Sequence, residues 1–269
     1  MKIFKSINKL NKQVDFKANI GFVPTMGALH KGHMSLIDSS KKKCKKTLVS
    51  IFVNPSQFNK KSDYRNYPKN LNKDLNTLKR MKVDYVFIPE KKEIYNNKKK
   101  MRIKISSRDK ILCAKYRKGH FEGVLAVINQ LLNTIKARYM FLGNKDYQQV
   151  YLIKKFIKNR FSTRIISCKT IRDNNLLAYS SRIIHLSKND KLIASILTKK
   201  LNKIFRQIKK NIKNSKKIKN IKNHFFKYGV KIEYLEIRNK FNLSKKYNKN
   251  NFKIFVAYYI NNVRLIDNF

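Results

Sequence analysis

Two histidines stand three residues apart, His30 and His33, inside the stretch VPTMGALHKGHMSL at Val23–Leu36. The apolar run Ile20, Phe22 and Val23 leads into them and reads as a buried strand. Pro24, Gly27 and Gly32 break regular structure, and Met34, Leu36 and Ile37 begin a helical pattern. Strand, glycine turn and helix start in succession gather backbone N–H groups and the positive end of a helix dipole, which favours anionic oxygens. A spacing of three puts both imidazoles on one face once the first helical turn forms. The implied chemistry is a phosphate site with two imidazole donors. Taken alone, the motif is equally compatible with an ordinary surface turn. A metal site would need further ligands, and the three cysteines, Cys44, Cys113 and Cys168, are scattered away from it.

Other polar clusters sit at comparable places. Asn54 and Gln57 lie just past an apolar run in SIFVNPSQF, where uncharged amides suit the hydroxyl and carboxylate groups of a small substrate. An Asn-Pro turn accounts for the same spacing. YRKGHFEGV at Tyr116–Val124 carries His120 between two glycines, where a helix-capping role is the simplest reading. In GNKDYQQ, Lys145 could reach phosphate and Asp146 a ribose hydroxyl, with Gln149 one turn on. RDNNLLAYSSR ends in Ser180, Ser181 and Arg182, a candidate phosphate clamp with a forked guanidinium donor. His185 and His224 are isolated and read as structural or surface residues. The chain has no Walker-type loop, no GxGxxG and no nucleophile beside a base.

The elements that must position these residues alternate. Strand candidates are Ile20–Val23, Thr47–Val53, Asp84–Ile88, Tyr139–Leu142 and Arg164–Cys168. Between them lie helical stripes: Leu71, Leu75 and Leu78; Val124 to Ile135; Val150 to Ile157. The expected fold class is therefore α/β, a Rossmann-like doubly wound parallel sheet that binds ligands beyond the C-terminal strand ends at a switch in strand order. A short strand at Met101–Ile105 is expected outside that sheet. Residues 1–171 are expected to form this first domain. Residues 172–269 are expected to form a smaller α+β domain, with a helix at Lys188–Ile212 and strands at Val230–Ile237 and Phe252–Ile260.

With 64 Lys and Arg against 15 Asp and Glu, the formal charge is +49. Such a balance suggests nucleic acid or an anionic membrane. The lysines, however, are spread through the chain among Asn and Ile, the residues of AT-rich codons, so a compositional bias with solvated lysines is expected. Lys199–Lys222 alone holds eleven basic residues and no acidic one, a face that could contact RNA. No specific nucleic-acid partner is expected. No apolar run approaches the roughly 18 residues of a membrane span. The N-terminus lacks a secretory h-region, and dispersed cysteines suit a reducing cytoplasm.

PTMGALHKGH, VNPSQF, YRKGHFEGV, GNKDYQQV and AYSSR, in that order and followed by VRLIDN, resemble the pantothenate synthetases (pantoate–β-alanine ligases), from about Ile20 to Asn268. That family shares an HxGH turn with class I aminoacyl-tRNA synthetases. The resemblance implies that ATP and (R)-pantoate give pantoyl adenylate and pyrophosphate, after which β-alanine displaces AMP. It implies Mg²⁺ with the ATP, a cytoplasmic homodimer and a second domain acting as a lid. The alternatives are another HxGH nucleotidyltransferase or an RNA-binding protein.

The resemblance also implies residue roles. Met26, Gly27, Ala28, Leu29, His30, Lys31, Gly32 and His33 form the ATP turn, with His30 and His33 on the phosphates and His33 matching the usual proton donor. Gly143, Asn144, Lys145 and Asp146 give further ATP contacts, Lys145 among the catalytic groups. Ile171 matches a backbone contact to adenine, and Tyr179, Ser180, Ser181 and Arg182 match a mobile phosphate-holding loop. Gln57 and Gln149 match substrate contacts. No protein metal ligands are expected. Departures from the family are Asn144 for Glu, Tyr179 for Met or Leu, Ile183 for Asn, and Asn175-Leu176 for an Asp-Gly turn. The last predicts a less stable loop in an active enzyme.

Overall fold

The computed structural model describes residues 1–59, 61–95 and 103–269. The chain divides into two compact units, Met1–Thr170 and Ile171–Phe269.

The first unit is built on strands β1 (Lys2–Phe4), β2 (Ile20–Thr25), β3 (Lys46–Ile51), β4 (Tyr85–Phe87), β5 (Tyr139–Gly143) and β6 (Arg164–Cys168). They form one sheet in the order β1-β4-β3-β2-β5-β6, every pair parallel. β2, β3 and β5 are apolar on both faces because helices cover both sides of a parallel sheet. Val23, Ile37, Val49, Val86 and Phe141 have no exposed surface and form the core of one face. Each such side chain contributes about 1.5–3 kcal/mol by leaving water. From β2 the chain winds one way to β3 and β4, then crosses back to β5 and β6, so the order switches between β2 and β5. Pairing of β2 with β5 covers only Gly21 and Phe22. Two residues on stands Pro24, with no N–H to give, and β2 there pairs with β3 alone.

Two expectations are corrected. Residues 103–105 carry no strand, and 101–102 lie outside the described residues. The stripe Leu71, Leu75, Leu78 does form a helix, Leu71–Arg80, but it is rotated: Leu71 is 41% exposed while Asp74 is 3% exposed. The reason is polar, because Asp74 turns inward to serve two backbone donors described below.

The second unit packs the Lys188–Lys210 helix on an antiparallel sheet of β7 (Val230–Asn239), β8 (Phe252–Ile260) and β9 (Val263–Asn268). Ala194, Leu197, Leu201 and Ile208 face Ile254, Val256 and Tyr258 in its core. Ser187 and Asp190 cap the helix reciprocally. Arg172 grips Asp267 with two hydrogen bonds of 2.6 and 2.8 Å and so ties the start of the unit to its last strand. Among the described residues, no helix is long and apolar enough to cross a membrane.

Candidate functional site

The turn after β2 is locked from below. Thr25 Oγ1 donates to the Ser50 carbonyl at 2.8 Å and accepts from Gly27 N at 3.2 Å. Gly27 has φ +78 and Ala28 φ +50. A left-handed alanine costs about 1–2 kcal/mol. The cost is offset by Asp74, whose two carboxylate oxygens accept from Ala28 N and Leu29 N, each at 2.8 Å. Charge-assisted bonds of this kind contribute roughly 1.5–3 kcal/mol each.

The Lys31–Lys43 helix then starts on an imidazole rather than on a hydroxyl or carboxylate. His30 is its N-cap: Nδ1 accepts from Gly32 N at 3.1 Å. His33 completes a reciprocal capping box, its Nδ1 accepting from His30 N at 3.4 Å. An Nδ1 that accepts carries no proton, so both rings hold their proton on Nε2. The rings lie 4.1 Å apart between centroids, inclined by 33°. Burial, then the Lys145 charge, lowers the His30 pKa to about 4 against the opposing pull of Asp146. Burial, then His30 and Lys145, pushes His33 well below the ordinary histidine range. Both imidazoles are thus neutral Nε2–H donors at neutral pH.

This changes how the turn meets an anion. The sequence suggested backbone N–H groups at the helix start as the donors. Those of Ala28, Leu29, His30 and Gly32 are instead engaged by Asp74, His33 and His30. The two imidazoles and the Lys145 charge stand at the same turn.

At the end of β5, beside β2, Gly143 runs into the 3₁₀ turn Asn144–Asp146 and the Tyr147–Ile157 helix. Lys145 stands 3.5 Å from Asp146, and its charge acts on both imidazoles. Among the described residues a Cβ on Gly143 would meet no atom within 4 Å, and its φ of −80 is open to any residue. The described residues therefore give no steric reason for glycine there. Gln149 is half-buried on the helix, whereas its neighbour Gln148 is buried and donates to the carbonyls of Asp109 and Ile111.

Gln57 is drawn to the same strand ends. Its Nε2 lies against Met26 Sδ, and its Oε1 accepts from Asn54 Nδ2 at 3.2 Å. Asn54 is 1% exposed; it also donates to the Gly123 carbonyl and accepts from Ser56 and Tyr95. It is a scaffold for the turn rather than a substrate donor. Gly123 is obligatory in this packing, since a Cβ would come within 2.4 Å of the Ser56 carbonyl oxygen.

His120 is not the helix cap the sequence suggested. The N-cap of the His120–Thr134 helix is Gly119, while the His120 ring turns back to Gln57. Its Nδ1 donates to the Gln57 carbonyl at 2.6 Å, and Arg117 donates to the same oxygen at 3.1 Å. Arg117 Nη1 also reaches His120 Nε2 at 3.0 Å. A guanidinium only donates, so the His120 proton is on Nδ1, the opposite tautomer to His30 and His33. Sequence reasoning missed Asp74 and Arg117 because their partners are backbone atoms far away along the chain.

The first unit thus brings together Met26 to His33, Gln57 and Gly143 to Asp146. Ile171, Tyr179, Ser180, Ser181 and Arg182 belong to the second unit. There Tyr179 N donates to the Ile171 carbonyl at 3.1 Å, and Ser180 Oγ accepts from Arg182 N at 3.3 Å. Leu176 adopts φ +67, with Asp173 accepting from the N–H groups of Asn175 and Leu177. Ile183 packs against the apolar core of this unit. Among the described residues, no group of three or more His, Cys, Asp or Glu could hold a metal ion.

A sequence model of the pantoate-beta-alanine ligase family matches residues 2–269. The pantothenate synthetase of Francisella tularensis subsp. mediasiatica (strain FSC147) is 42% identical over 272 residues, covering 100% of this chain and 95% of that protein. A crystal structure of the pantoate-beta-alanine ligase from Francisella tularensis, complexed with beta-gamma ATP and beta-alanine, superposes with a TM-score of 0.86 at 39% identity, covering 100% of this chain and 97% of that one. The pantothenate synthetase from Thermus thermophilus gives a TM-score of 0.90 at 26% identity, covering 100% and 99%. With the order of its strands, its HxGH turn and a match over nearly every residue, this chain belongs to the pantoate–β-alanine ligase family.

Proposed function

We propose that this chain condenses (R)-pantoate with β-alanine at the expense of ATP, using the turn Met26–His33 as its triphosphate cradle. Neither a different HxGH nucleotidyltransferase nor an RNA-binding role is favoured by the relatives it matches. The observation that carries the residue-level reading is the pair of neutral imidazoles, each with Nδ1 accepting from a backbone N–H, beside Lys145 at the switch between β2 and β5.

The pantoate carboxylate attacks the α-phosphorus, pyrophosphate departs, and charge builds on the non-bridging and leaving oxygens. His30, His33 and Lys145 donate to that charge in a site where burial strengthens each bond. Because the imidazoles are neutral, they act as hydrogen-bond donors rather than as imidazolium acids. The β-alanine amine then attacks the acyl carbon and AMP leaves with its bridging oxygen. Gln57, held by Asn54 and His120, and Gln149 orient pantoate. Asp146 accepts from the ribose, Gly143 and Asn144 line the nucleotide, and Ile171 meets adenine through its backbone. Tyr179, Ser180, Ser181 and Arg182 hold phosphate from a second unit that serves as a lid.

Magnesium would come to this site on the triphosphate, whose oxygens are the hard ligands it prefers. A homodimer in the cytoplasm completes the reading; the three cysteines are free thiols, in keeping with a reducing compartment. Purified protein given ATP, magnesium, pantoate and labelled β-alanine should form labelled pantothenate with one AMP per turnover. Product formed without pantoate, or ADP in place of AMP, would refute the assignment.

A further inference from the structure

We propose that Asp74 is a positioning residue for adenylate formation: its carboxylate fixes the left-handed turn at Gly27–Ala28 and thereby the tautomer and aim of His30 and His33. The inference rests on the role given above to the two imidazoles.

Asp74 sits on a different element, the Leu71–Arg80 helix, 3% exposed, and its hydrogen-bond partners are the consecutive N–H groups of Ala28 and Leu29. A buried carboxylate that serves two peptide donors specifies the orientation of both peptide planes. The chain of consequence is short. Ala28 is held at φ +50, where alanine does not rest unaided. The next N–H along, that of His30, is thereby aimed at His33 Nδ1, and the Gly32 N–H at His30 Nδ1. Those two bonds keep the ring protons on Nε2. The fit is close on the other side as well: a Cβ on Gly27 would come within 2.9 Å of the Asp74 carboxylate. Burial raises the Asp74 pKa, and the two N–H bonds pull it back. The carboxylate thus acts on the substrate through the turn and two rings, without contact of its own being required.

Asp74→Asn keeps the shape but sets an amide NH₂ against one of two peptide N–H groups. The expected result is a folded variant whose kcat for pantoate-dependent ATP–pyrophosphate exchange falls about 10- to 100-fold, the scale of a small misalignment of catalytic groups. Its pantoate KM should stay within about threefold, because Gln57 and Gln149 are untouched. The imidazole nitrogen NMR shifts of His30 and His33 should move from pure Nε2–H toward a tautomer mixture. A folded variant with unchanged kcat, or with unchanged imidazole shifts, would overturn the proposal. Should the variant not fold, the wild-type protein decides: the Ala28 and Leu29 amide protons should be protected from exchange and both rings should be Nε2–H. Unprotected amides or Nδ1–H rings would overturn it. If the wild type shows no pantoate-dependent exchange, the ligase reading fails, while the NMR shifts still judge Asp74.

Discussion

His30 and His33 lie ring against ring, centroids 4.1 Å apart, each with Nδ1 turned to a backbone N–H of the turn they share. Two histidines at a helix start are readily seen as groups presented to an anion. Here they also build the helix start, since the same rings cap it. One nitrogen of each ring is used for structure, and that bond sets the tautomer of the ring.

The first prediction concerns pH. His30 has its pKa lowered from 6.5 to about 4, and burial pushes His33 well below the ordinary histidine range, so His30 does not titrate between pH 5 and 8. The rate of adenylate formation should show no histidine inflection in that interval. Stability follows from linkage. Between about pH 4 and 6.5 the unfolded chain binds a proton on His30 that the folded chain refuses, so stability rises with pH through this window and is lost as pH falls. A rate inflection near pH 6.5 would show a histidine exposed and cationic in the working enzyme.

Gln57 and the pair that holds it should act on one parameter. Gln57→Ala should raise the pantoate KM about 10-fold, and His120→Ala, which releases the Gln57 carbonyl, by a comparable or smaller factor. In the double variant the effects should fall short of additive, as expected for residues in one network. Steady-state kinetics in pantoate check this, and an unaltered KM in Gln57→Ala would count against the substrate contact.

Gly143 separates binding from folding. A Cβ there meets no atom of the described residues within 4 Å and the backbone, at φ −80, accepts it. Gly143→Ala should therefore keep or raise stability by up to about 1 kcal/mol through the unfolded chain, while weakening ATP binding. Denaturant unfolding and the ATP KM measure the two sides. An ATP KM equal to wild type would remove Gly143 from the nucleotide site.

Leu176 carries a cost specific to this chain. It adopts φ +67 with Asp173 bracing the turn. Leu176→Gly should raise stability by about 0.5–1 kcal/mol, the relief of a left-handed side chain less the added freedom of glycine. The unfolding midpoint should rise with no change in slope; a fall would show that the leucine side chain contributes more than the strain removes.

Much of this molecule can be read from residues because its central strands are buried on both sides. β2, β3 and β5 are short, largely apolar runs bounded by turn residues, and such runs have few other structures open to them. β1 escapes notice because only Phe4 of its three residues is buried, too little pattern to distinguish from a tail. Asp74 escapes for a different reason. A charged residue between leucines reads as the solvent face of a helix, and only the donors of Ala28 and Leu29, 46 and 45 residues earlier, turn it inward. His120 is the same case: its motif marks a helix start, but its ring answers to a carbonyl 63 residues away. Motifs locate the polar residues of this site, while distant backbone partners decide which of them are scaffold and which face the substrate.

The most direct test of the account is ATP–pyrophosphate exchange without β-alanine, measured for the wild type and for His33→Ala. Exchange in the wild type should depend on pantoate, and His33→Ala should lower it by at least about 100-fold, the scale of losing a principal donor to the transition state. His33→Gln, which restores a neutral N–H donor, should recover part of that loss. Pantoate-dependent exchange that is undiminished in His33→Ala would contradict the role assigned to the imidazole.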